Sequence, residues 1–394
     1  MPSKCKFRLN QRNGVYFSGE WITGTVLLRT TKEKTIRNIR IRLLGEAKVH
    51  WSEAEKDSGT AQYKANEVYV DKTYVVYDEE ILPPRAYVFG YKFRLPKSCP
   101  TSCRGNHGHI RYFLELRVDR PYRYDNVFTR PLTVLKRVDL NMNPEFKLPV
   151  QQEEISAVGC WPCASGNIVY SLAVPYGAYA SGQSLEYTLN IQNQSMTDIS
   201  GYQVRFVECM TFVAHTPEYK ELQSHTTLAD EEYSDGCLRL SNRQYDGQID
   251  LPSMPPDTDG EGIIRLDHYL EIEIEVKGCH RNKNISVPIF IGNIPIKESL
   301  QNATPLPSSA NLEMPSDEDD DDENSYEVTH NQASYSGEES DADEPPCYGD
   351  LAPPAFEEAV RYPSPFQDPE ANEYTNAKDF QPLYPVYRYY NGRN

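Results

Sequence analysis

The residues with the clearest potential for specific binding lie near the C-terminal end, in Pro345-Pro346-Cys347-Tyr348. Two adjacent prolines favour the polyproline II conformation, so little conformational entropy is lost when they dock in an aromatic groove. The tyrosine two positions on can enter a neighbouring pocket with its hydroxyl free for a hydrogen bond. WW domains present such a surface, so Pro345, Pro346 and Tyr348 are the predicted WW-domain-binding residues.

A degenerate second motif follows in Pro353-Pro354-Ala355-Phe356, where Phe356 keeps the aromatic ring but loses the hydroxyl. We expect it to dock more weakly and to help through its high effective concentration on the same chain. Two alternatives for the first motif stay open. It is a chance match in a segment rich in proline and tyrosine, or Tyr348-Gly349-Asp350-Leu351 is a sorting signal that clathrin adaptors bind as an added strand.

A second pattern with potential chemistry is the Cys-x-x-Cys pair Cys160 and Cys163. Thiol-disulfide exchange of the thioredoxin type needs a strand before the motif and a helix that starts at its first cysteine, because the helix N-terminus lowers the thiol pKa. Here Ser165-Gly166 follow and strand-rich sequence lies on both sides. Structural thiols are therefore predicted, and a redox role remains an alternative.

No metal site, cofactor or enzymatic activity is predicted. Cys99 and Cys103, with His107 and His109 nearby, are too loosely spaced for a zinc site. The sequence holds no glycine-rich phosphate loop, nucleophile elbow or paired-acid motif.

The charge of the chain is concentrated in its last quarter. Residues 301–394 hold 21 acidic and 4 basic side chains, a net of −17 against −18 for the whole chain, together with 12 of the 29 prolines. Seven consecutive carboxylates at 317–323 repel one another, so a disordered acidic tail rich in Pro and Tyr is predicted. Three serines, Ser316, Ser336 and Ser340, have an acid three residues on and are candidate phosphorylation sites. The acidic balance argues against nucleic acid as the main partner.

Strand patterns dominate the rest of the sequence. Lys4–Leu9 and Ile39–Leu43 alternate between apolar and charged residues, and short strands recur at regular spacing, which predicts an all-β fold of sandwich type. The same pattern restarts after a polar stretch. We predict one sandwich over residues 1–143, a linker over 144–166, a second sandwich over 167–297 and the tail over 298–394.

The alternation also predicts basic faces on two strands. Lys4, Lys6 and Arg8 lie on one face of the first strand, and Arg40 and Arg42 on one face of another. They are a candidate surface for acidic cargo tails, phosphates or anionic lipid head groups, with an ordinary solvated sheet face as the alternative. No apolar run reaches 18 residues, no secretory signal is seen, and nine cysteines form no disulfide framework, so a cytoplasmic protein is expected.

Motifs in both blocks resemble the arrestin fold, whose domains are immunoglobulin-like sandwiches. In the first block they are Val15-Tyr16-Phe17-Ser18-Gly19-Glu20, Gly45-Glu46-Ala47-Lys48-Val49-His50-Trp51 and Val118-Asp119-Arg120-Pro121-Tyr122. In the second they are Gly177-Ala178-Tyr179-Ala180-Ser181-Gly182-Gln183 and Val287-Pro288-Ile289-Phe290-Ile291-Gly292-Asn293. The Cys160–Gly166 stretch and the tail motif are similar to those of α-arrestins, the arrestin-domain-containing proteins.

That resemblance implies a trafficking adaptor. Its partners would be membrane receptors or transporters as cargo and the WW domains of HECT-type, Nedd-family ubiquitin ligases. It would associate peripherally with the plasma membrane and endosomes and promote ubiquitination and sorting of the cargo. Leu383-Tyr384-Pro385-Val386-Tyr387 faintly resembles a Leu-Tyr-Pro-x-Leu motif read by Bro-type endosomal-sorting proteins. A β-arrestin-like regulator of phosphorylated receptors that acts without a ligase is the alternative.

Overall fold

The computed structural model describes residues 3–55, 59–160, 163–258, 260–300, 304–305, 354–361, 365–367 and 380–390. Apart from two short 3₁₀ helices, Pro144–Lys147 and Glu298–Leu300, the regular elements in these ranges are β-strands. Neither helix in the described ranges has the length or apolar composition that a bilayer span requires.

The first sandwich is built from β1 (Lys4–Leu9), β2 (Val15–Phe17), β3 (Trp21–Arg29), β4 (Lys34–Thr35), β5 (Asn38–Glu55), β6 (Gly59–Tyr77), β7 (Ile81–Leu82), β8 (Ala86–Arg94), β9 (Cys103–Arg104), β10 (Gly108–Asp119) and β11 (Asn126–Leu135). One sheet has the order β1-β3-β8 and the other the order β2-β11-β10-β5-β6, with β9 beside β10. Inward side chains such as Ile22, Phe93 and Leu114 form its core, because successive side chains of a strand point to opposite faces.

The second sandwich is built from β12 (Val150–Cys160), β13 (Cys163–Val174), β14 (Ala178–Ala180), β15 (Ser184–Asn193), β16 (Ile199–Ala214), β17 (Lys220–Tyr233), β18 (Ser241–Asp250), β19 (Ile264–Val276), β20 (Lys283–Pro288) and β21 (Phe290–Gly292). Its sheets have the orders β12-β13-β15-β18 and β17-β16-β19-β20, and β14 pairs with β21 in parallel. Leu172, Leu189 and Ile272 lie in its core. The prediction of two tandem sandwiches in an all-β chain is confirmed.

The segment predicted as a linker, residues 144–166, is largely strand in the structure. Residues from Val150 onward form β12, which pairs with β13 from Val150↔Val174 to Cys160↔Cys163. This strand lies at the sheet edge, and most of its side chains are exposed. It carries no apolar alternation because neither of its faces is fully buried, so the pattern that marks the other strands is missing.

The two sandwiches share a packed interface through β16. One half of this strand contributes Val204 and Phe206 to the second core. The other half places Met210, Phe212 and Ala214 in the core of the first sandwich. One strand therefore belongs to both cores.

Segments from the tail pack on this body. Strand β22 (Thr304–Pro305) pairs with β25 (Tyr389–Tyr390), and β23 (Ala355–Glu358) pairs with β24 (Leu383–Val386), both antiparallel. We call residues 354–360 and 380–387 the clasp. These segments depart from the prediction of a disordered tail over 298–394, because they carry enough aromatic and aliphatic surface to be buried.

Candidate functional site

The predicted WW-domain-binding residues Pro345, Pro346 and Tyr348 lie outside the described residues. The same holds for Pro353 of the second motif and for the candidate phosphorylation sites Ser316, Ser336 and Ser340. These assignments remain predictions from the sequence.

Phe356 of the degenerate second motif lies in the clasp. It is opposite Pro385 in the β23–β24 pair and packs, half-buried, in a small cluster with Val15, Leu135 and Tyr384. A ring held in this way contacts the body of the same chain. Docking of Phe356 in a WW domain would therefore require the clasp to open first.

The clasp lies in a crevice between the two sandwiches. The residues that contact it there are Ser102 and Thr133 of the first sandwich, Ser181, Gly182 and Ser253 of the second, and Asn293. In the clasp, the hydroxyl of Tyr384 donates to the carbonyl oxygen of Ser102 at 2.7 Å. The amide of Leu383 donates to Oγ1 of Thr133 at 3.1 Å. These two bonds attach the clasp to the first sandwich.

The second sandwich holds the other end of the same segment. The amide of Tyr387 donates to the carbonyl oxygen of Ser181 at 2.8 Å, and its hydroxyl donates to the carbonyl oxygen of Asn293 at 3.0 Å. The Ser253 hydroxyl donates to the carbonyl oxygen of Glu357 at 3.0 Å. The clasp thus bonds to both sandwiches at once.

Tyr384 is 1 % exposed and Tyr387 is 2 % exposed, although both follow the acidic run in sequence. Burial raises the pKa of Tyr384 well above its usual value. Its hydroxyl therefore stays protonated and remains a hydrogen-bond donor. The five residues Leu383–Tyr387, singled out for their resemblance to an endosomal-sorting motif, are the part of the clasp that is buried most deeply.

A buried charged cluster lies in the second sandwich beside the clasp. Nδ1 of His268 is 2.5 Å from a carboxylate oxygen of Asp257, and Nε2 is 3.7 Å from a carboxylate oxygen of Glu208. Burial alone would lower the pKa of His268, but the Asp257 carboxylate raises it, to about 9. Burial raises the pKa of Asp257 to about 6, against the effect of His268. Around neutral pH the two therefore form an ion pair.

The predicted basic residues fall on two different sheets. Lys4, Lys6 and Arg8 project from β1, an edge strand, and are exposed. Arg40 and Arg42 lie on β5 in the other sheet and form ion pairs with Asp119 at 3.3 Å and with Asp71 at 2.7 Å. The five residues do not make one basic face, because two of them are neutralised locally.

The two cysteines of the predicted Cys-x-x-Cys motif lie in neighbouring β-strands. Cys160 ends β12 and Cys163 begins β13, and the two residues pair in the antiparallel ladder, whereas a thioredoxin-type motif opens a helix. Burial raises the pKa of the Cys99 thiol to about 11 and that of the Cys103 thiol to about 12. Both of these thiols are protonated near neutral pH. Within the described ranges, no group of three or more His, Cys, Asp or Glu side chains could hold a metal ion.

Sequence reasoning missed the crevice. Its lining residues come from separate loops and strands, and short polar residues such as Ser102 and Thr133 carry no local signal. A signal did exist in the tail. Leu383–Tyr387 is uniformly aliphatic, aromatic or proline within an otherwise acidic and polar region, which is typical of a segment that is buried on something.

Two tandem sandwiches joined by a shared strand and followed by an acidic tail define an arrestin-type architecture, and family profiles agree. The profile of the arrestin (or S-antigen) N-terminal domain matches residues 5–141, and that of the C-terminal domain matches residues 164–296. The chain belongs to the arrestin family, among its arrestin domain-containing members, the α-arrestins. Proteins of this family are generally non-enzymatic adaptors.

Relatives match over most of their length. The chain is 26% identical over 345 residues to Arrestin domain-containing protein 17 of Caenorhabditis elegans, covering 78% of this chain and 76% of that protein. It is 24% identical over 307 residues to Arrestin domain-containing protein 1 of Rattus norvegicus, covering 77% and 68%. It is 25% identical over 298 residues to Arrestin domain-containing protein 4 of Homo sapiens, covering 73% and 70%.

Proposed function

We propose that this arrestin-family adaptor links membrane receptors or transporters to HECT-type ubiquitin ligases that have WW domains. The folded sandwiches bind the cytoplasmic part of the cargo, and the tail binds the ligase. The ligase carries out the chemistry, and ubiquitination of the cargo leads to its internalisation and endosomal sorting. The protein acts at the cytoplasmic face of the plasma membrane and of endosomes.

The observation that carries this proposal is the motif Pro345-Pro346-Cys347-Tyr348 in the tail of an arrestin-family body. The structure adds that the ring of Phe356 is packed against the body. We therefore assign WW-domain binding in the resting chain to the first motif alone. A single motif of this kind binds modestly, so the ligase would dissociate readily when its cargo is gone.

A pull-down with an array of WW domains tests ligase recruitment. Full-length chain carrying Tyr348→Ala should lose at least tenfold in binding, because the tyrosine pocket is left empty. Tyr335→Ala, which removes a tail tyrosine outside any proline pair, is the matched control and should bind like the wild type. Equal binding by the wild type and Tyr348→Ala would overturn the proposal.

Two further variants separate WW-domain binding from the Tyr-x-x-aliphatic alternative. A double variant, Pro345→Ala with Pro346→Ala, removes only the polyproline element and should abolish WW-domain binding. Leu351→Ala removes only the aliphatic position of the sorting signal and should leave it intact. If cargo removal from the cell surface responded to Leu351→Ala alone, clathrin-adaptor binding would be the better account.

The exposed edge strand β1 supports a second candidate function. In this alternative, the protein binds and regulates an anionic partner, such as a phosphorylated receptor, without recruiting a ligase. Lys4, Lys6 and Arg8 project outward from a strand that has a paired neighbour on one side only. A phosphorylated cargo tail could meet these cations there. Cargo binding that survives Tyr348→Ala, with cargo turnover unchanged, would favour this candidate. A thiol-redox role for Cys160 and Cys163 predicts activity in an insulin-reduction assay, and we expect none.

A further inference from the structure

We propose that the crevice between the sandwiches is a binding site for an extended Leu-Tyr-Pro-x-Tyr peptide and that the chain's own Leu383–Tyr387 occupies it at rest. While this segment is bound, it joins the two sandwiches and cannot be bound by another protein. The proposal concerns the site and its occupant, and it does not depend on ligase recruitment.

The first argument is the match between the segment and the crevice. The two tyrosine rings are buried, and each hydroxyl donates to a backbone carbonyl oxygen, from Tyr384 to Ser102 and from Tyr387 to Asn293. A phenylalanine at either position would have no hydroxyl to donate, so the carbonyl oxygen on the body would lose this hydrogen bond. Backbone bonds fix the register, since the amides of Leu383 and Tyr387 both have acceptors on the body. Pro385, between them, has no amide hydrogen to satisfy.

The second argument is Gly182, on the surface that the segment contacts. A Cβ atom at this position would lie 2.4 Å from Cγ1 of Val386 and 2.8 Å from the amide nitrogen of Tyr387. Real Cβ contacts do not approach so closely, and a backbone atom cannot move aside without losing its hydrogen bond. The crevice therefore accepts the segment only because this residue has no side chain.

The third argument is that both sandwich cores are complete without the segment. Tyr384 packs in a small separate cluster to which the body contributes Val15 and Leu135. The cores of the two sandwiches contain no residue of the clasp. Release of the segment would uncover its own contact surface but would not open either core, so the clasp can detach as a unit.

Hydrogen exchange on the full-length chain tests occupancy. In the wild type, the amides of Leu383 and Tyr387, and that of Val360, which donates to the carbonyl oxygen of Ser253 at 3.3 Å, should exchange at least tenfold more slowly than in synthetic peptides of the same sequences. Gly182→Ala should abolish this protection. Gly260→Ala is the matched control, because it has a similar positive φ of 79° against 84° but nothing within 4 Å of the added Cβ atom.

Protection that persists in Gly182→Ala, or that is lost equally in Gly260→Ala, would overturn the proposal. So would wild-type amides that exchange at the rate of the free peptide.

Tyr384→Phe and Tyr387→Phe keep the rings and remove one hydrogen bond each, so each should speed exchange about five- to tenfold.

Binding in trans tests the site itself. A fluorescent peptide of residues 380–390 should bind the full-length variant Tyr384→Ala/Tyr387→Ala, whose own segment is released, at least tenfold more tightly than it binds the wild type. The difference arises because the attached segment competes at an effective concentration of order millimolar. A peptide with Tyr384 and Tyr387 replaced by phenylalanine is the control and should bind more weakly. No binding to the variant, or equal binding to both proteins, would contradict a peptide site.

Discussion

His268 and Asp257 form an ion pair inside the second sandwich, where both side chains are almost fully buried. A charge at such a depth is tolerated because its partner is within hydrogen-bonding distance. The folded protein holds a proton on His268 up to about pH 9, whereas an unfolded chain releases it near pH 6.5. Stability therefore depends on pH through this residue.

We predict that the free energy of unfolding falls as pH rises from 6.5 to 9. The raised pKa of His268 gives a contribution of about 3 kcal/mol, which is complete below pH 6.5 and is lost as pH passes about 9. Asp257, with its pKa raised to about 6, adds the same sign of slope at lower pH, between about 4 and 6. The free energy of unfolding can be measured at each pH in this range by urea unfolding that is monitored by fluorescence.

In His268→Asn the slope between pH 6.5 and 9 should disappear, and the variant should be less stable at pH 6.5 because two buried carboxylates lose their cation. His280→Asn, in the loop after β19, serves as the control and should retain the wild-type slope. A slope unchanged in His268→Asn would place the titrating group elsewhere. The sequence could not predict this pair, because Asp257 and Glu208 lie outside any local pattern with His268.

At the scale of elements, β16 belongs to two cores, and this makes the sandwiches depend on each other. Phe206 packs in the second core, and Phe212, six residues on, packs in the first core against His107. The backbone of β16 pairs with β17 and β19 along most of its length. Because the strand is continuous between the two cores, disruption of the packing in one core should weaken the other.

We predict that Phe212→Ala costs about 3–5 kcal/mol and speeds hydrogen exchange in both sandwiches, for example in β5 and in β15. Phe206→Ala, a substitution of the same size on the same strand, should cost about as much and, because the coupling acts in both directions, should also speed exchange in both sandwiches. If Phe212→Ala speeds hydrogen exchange only in the first sandwich, the shared strand does not couple the two sandwiches.

Strands with one buried face could be predicted from the sequence, and strands without one could not. β1 and β5 carry apolar residues at alternate positions, and the predicted strands at Lys4–Leu9 and Ile39–Leu43 lie within them. β18 shows no such pattern, because polar residues occupy most of it and only Tyr245 and Ile249 are buried. It lies at the edge of its sheet like β12. These two edge strands bury few side chains and are held mainly by backbone hydrogen bonds, which leave no mark in the pattern of side chains.

At the scale of the whole molecule, a nearly neutral body is attached to a tail with a net charge of −17. The cations Lys4, Lys6 and Arg8 are exposed on β1. We proposed above that they receive an anionic partner. We predict that the acidic run at 317–323 competes for the same cations, since it is attached to the same chain.

Neutralising the run by Asp→Asn and Glu→Gln substitutions should therefore strengthen binding of the full-length chain to phosphatidylserine vesicles at least threefold at low salt. The gain should vanish at high salt, where charges are screened. A Lys4→Gln/Lys6→Gln/Arg8→Gln triple variant should remove it as well. If the variant with the neutralised run bound vesicles as the wild type does, with the same salt dependence, the run would not compete for these cations.

The strand pair β23–β24 would also limit how far a ligase recruited as proposed above can move from the body. This pair and its apolar cluster fix Ala355–Glu358 on the body, and the proposed WW-binding motif ends shortly before them in sequence. Tyr348 is six residues before Pro354, and six residues extend to at most about 20 Å. We therefore predict that a ligase held at this motif modifies mainly the cargo lysines that lie nearest the clasp. Gly182→Ala, by releasing the clasp from the body, should spread ubiquitin over more distant cargo lysines. Mass spectrometry of a reconstituted reaction would show this change.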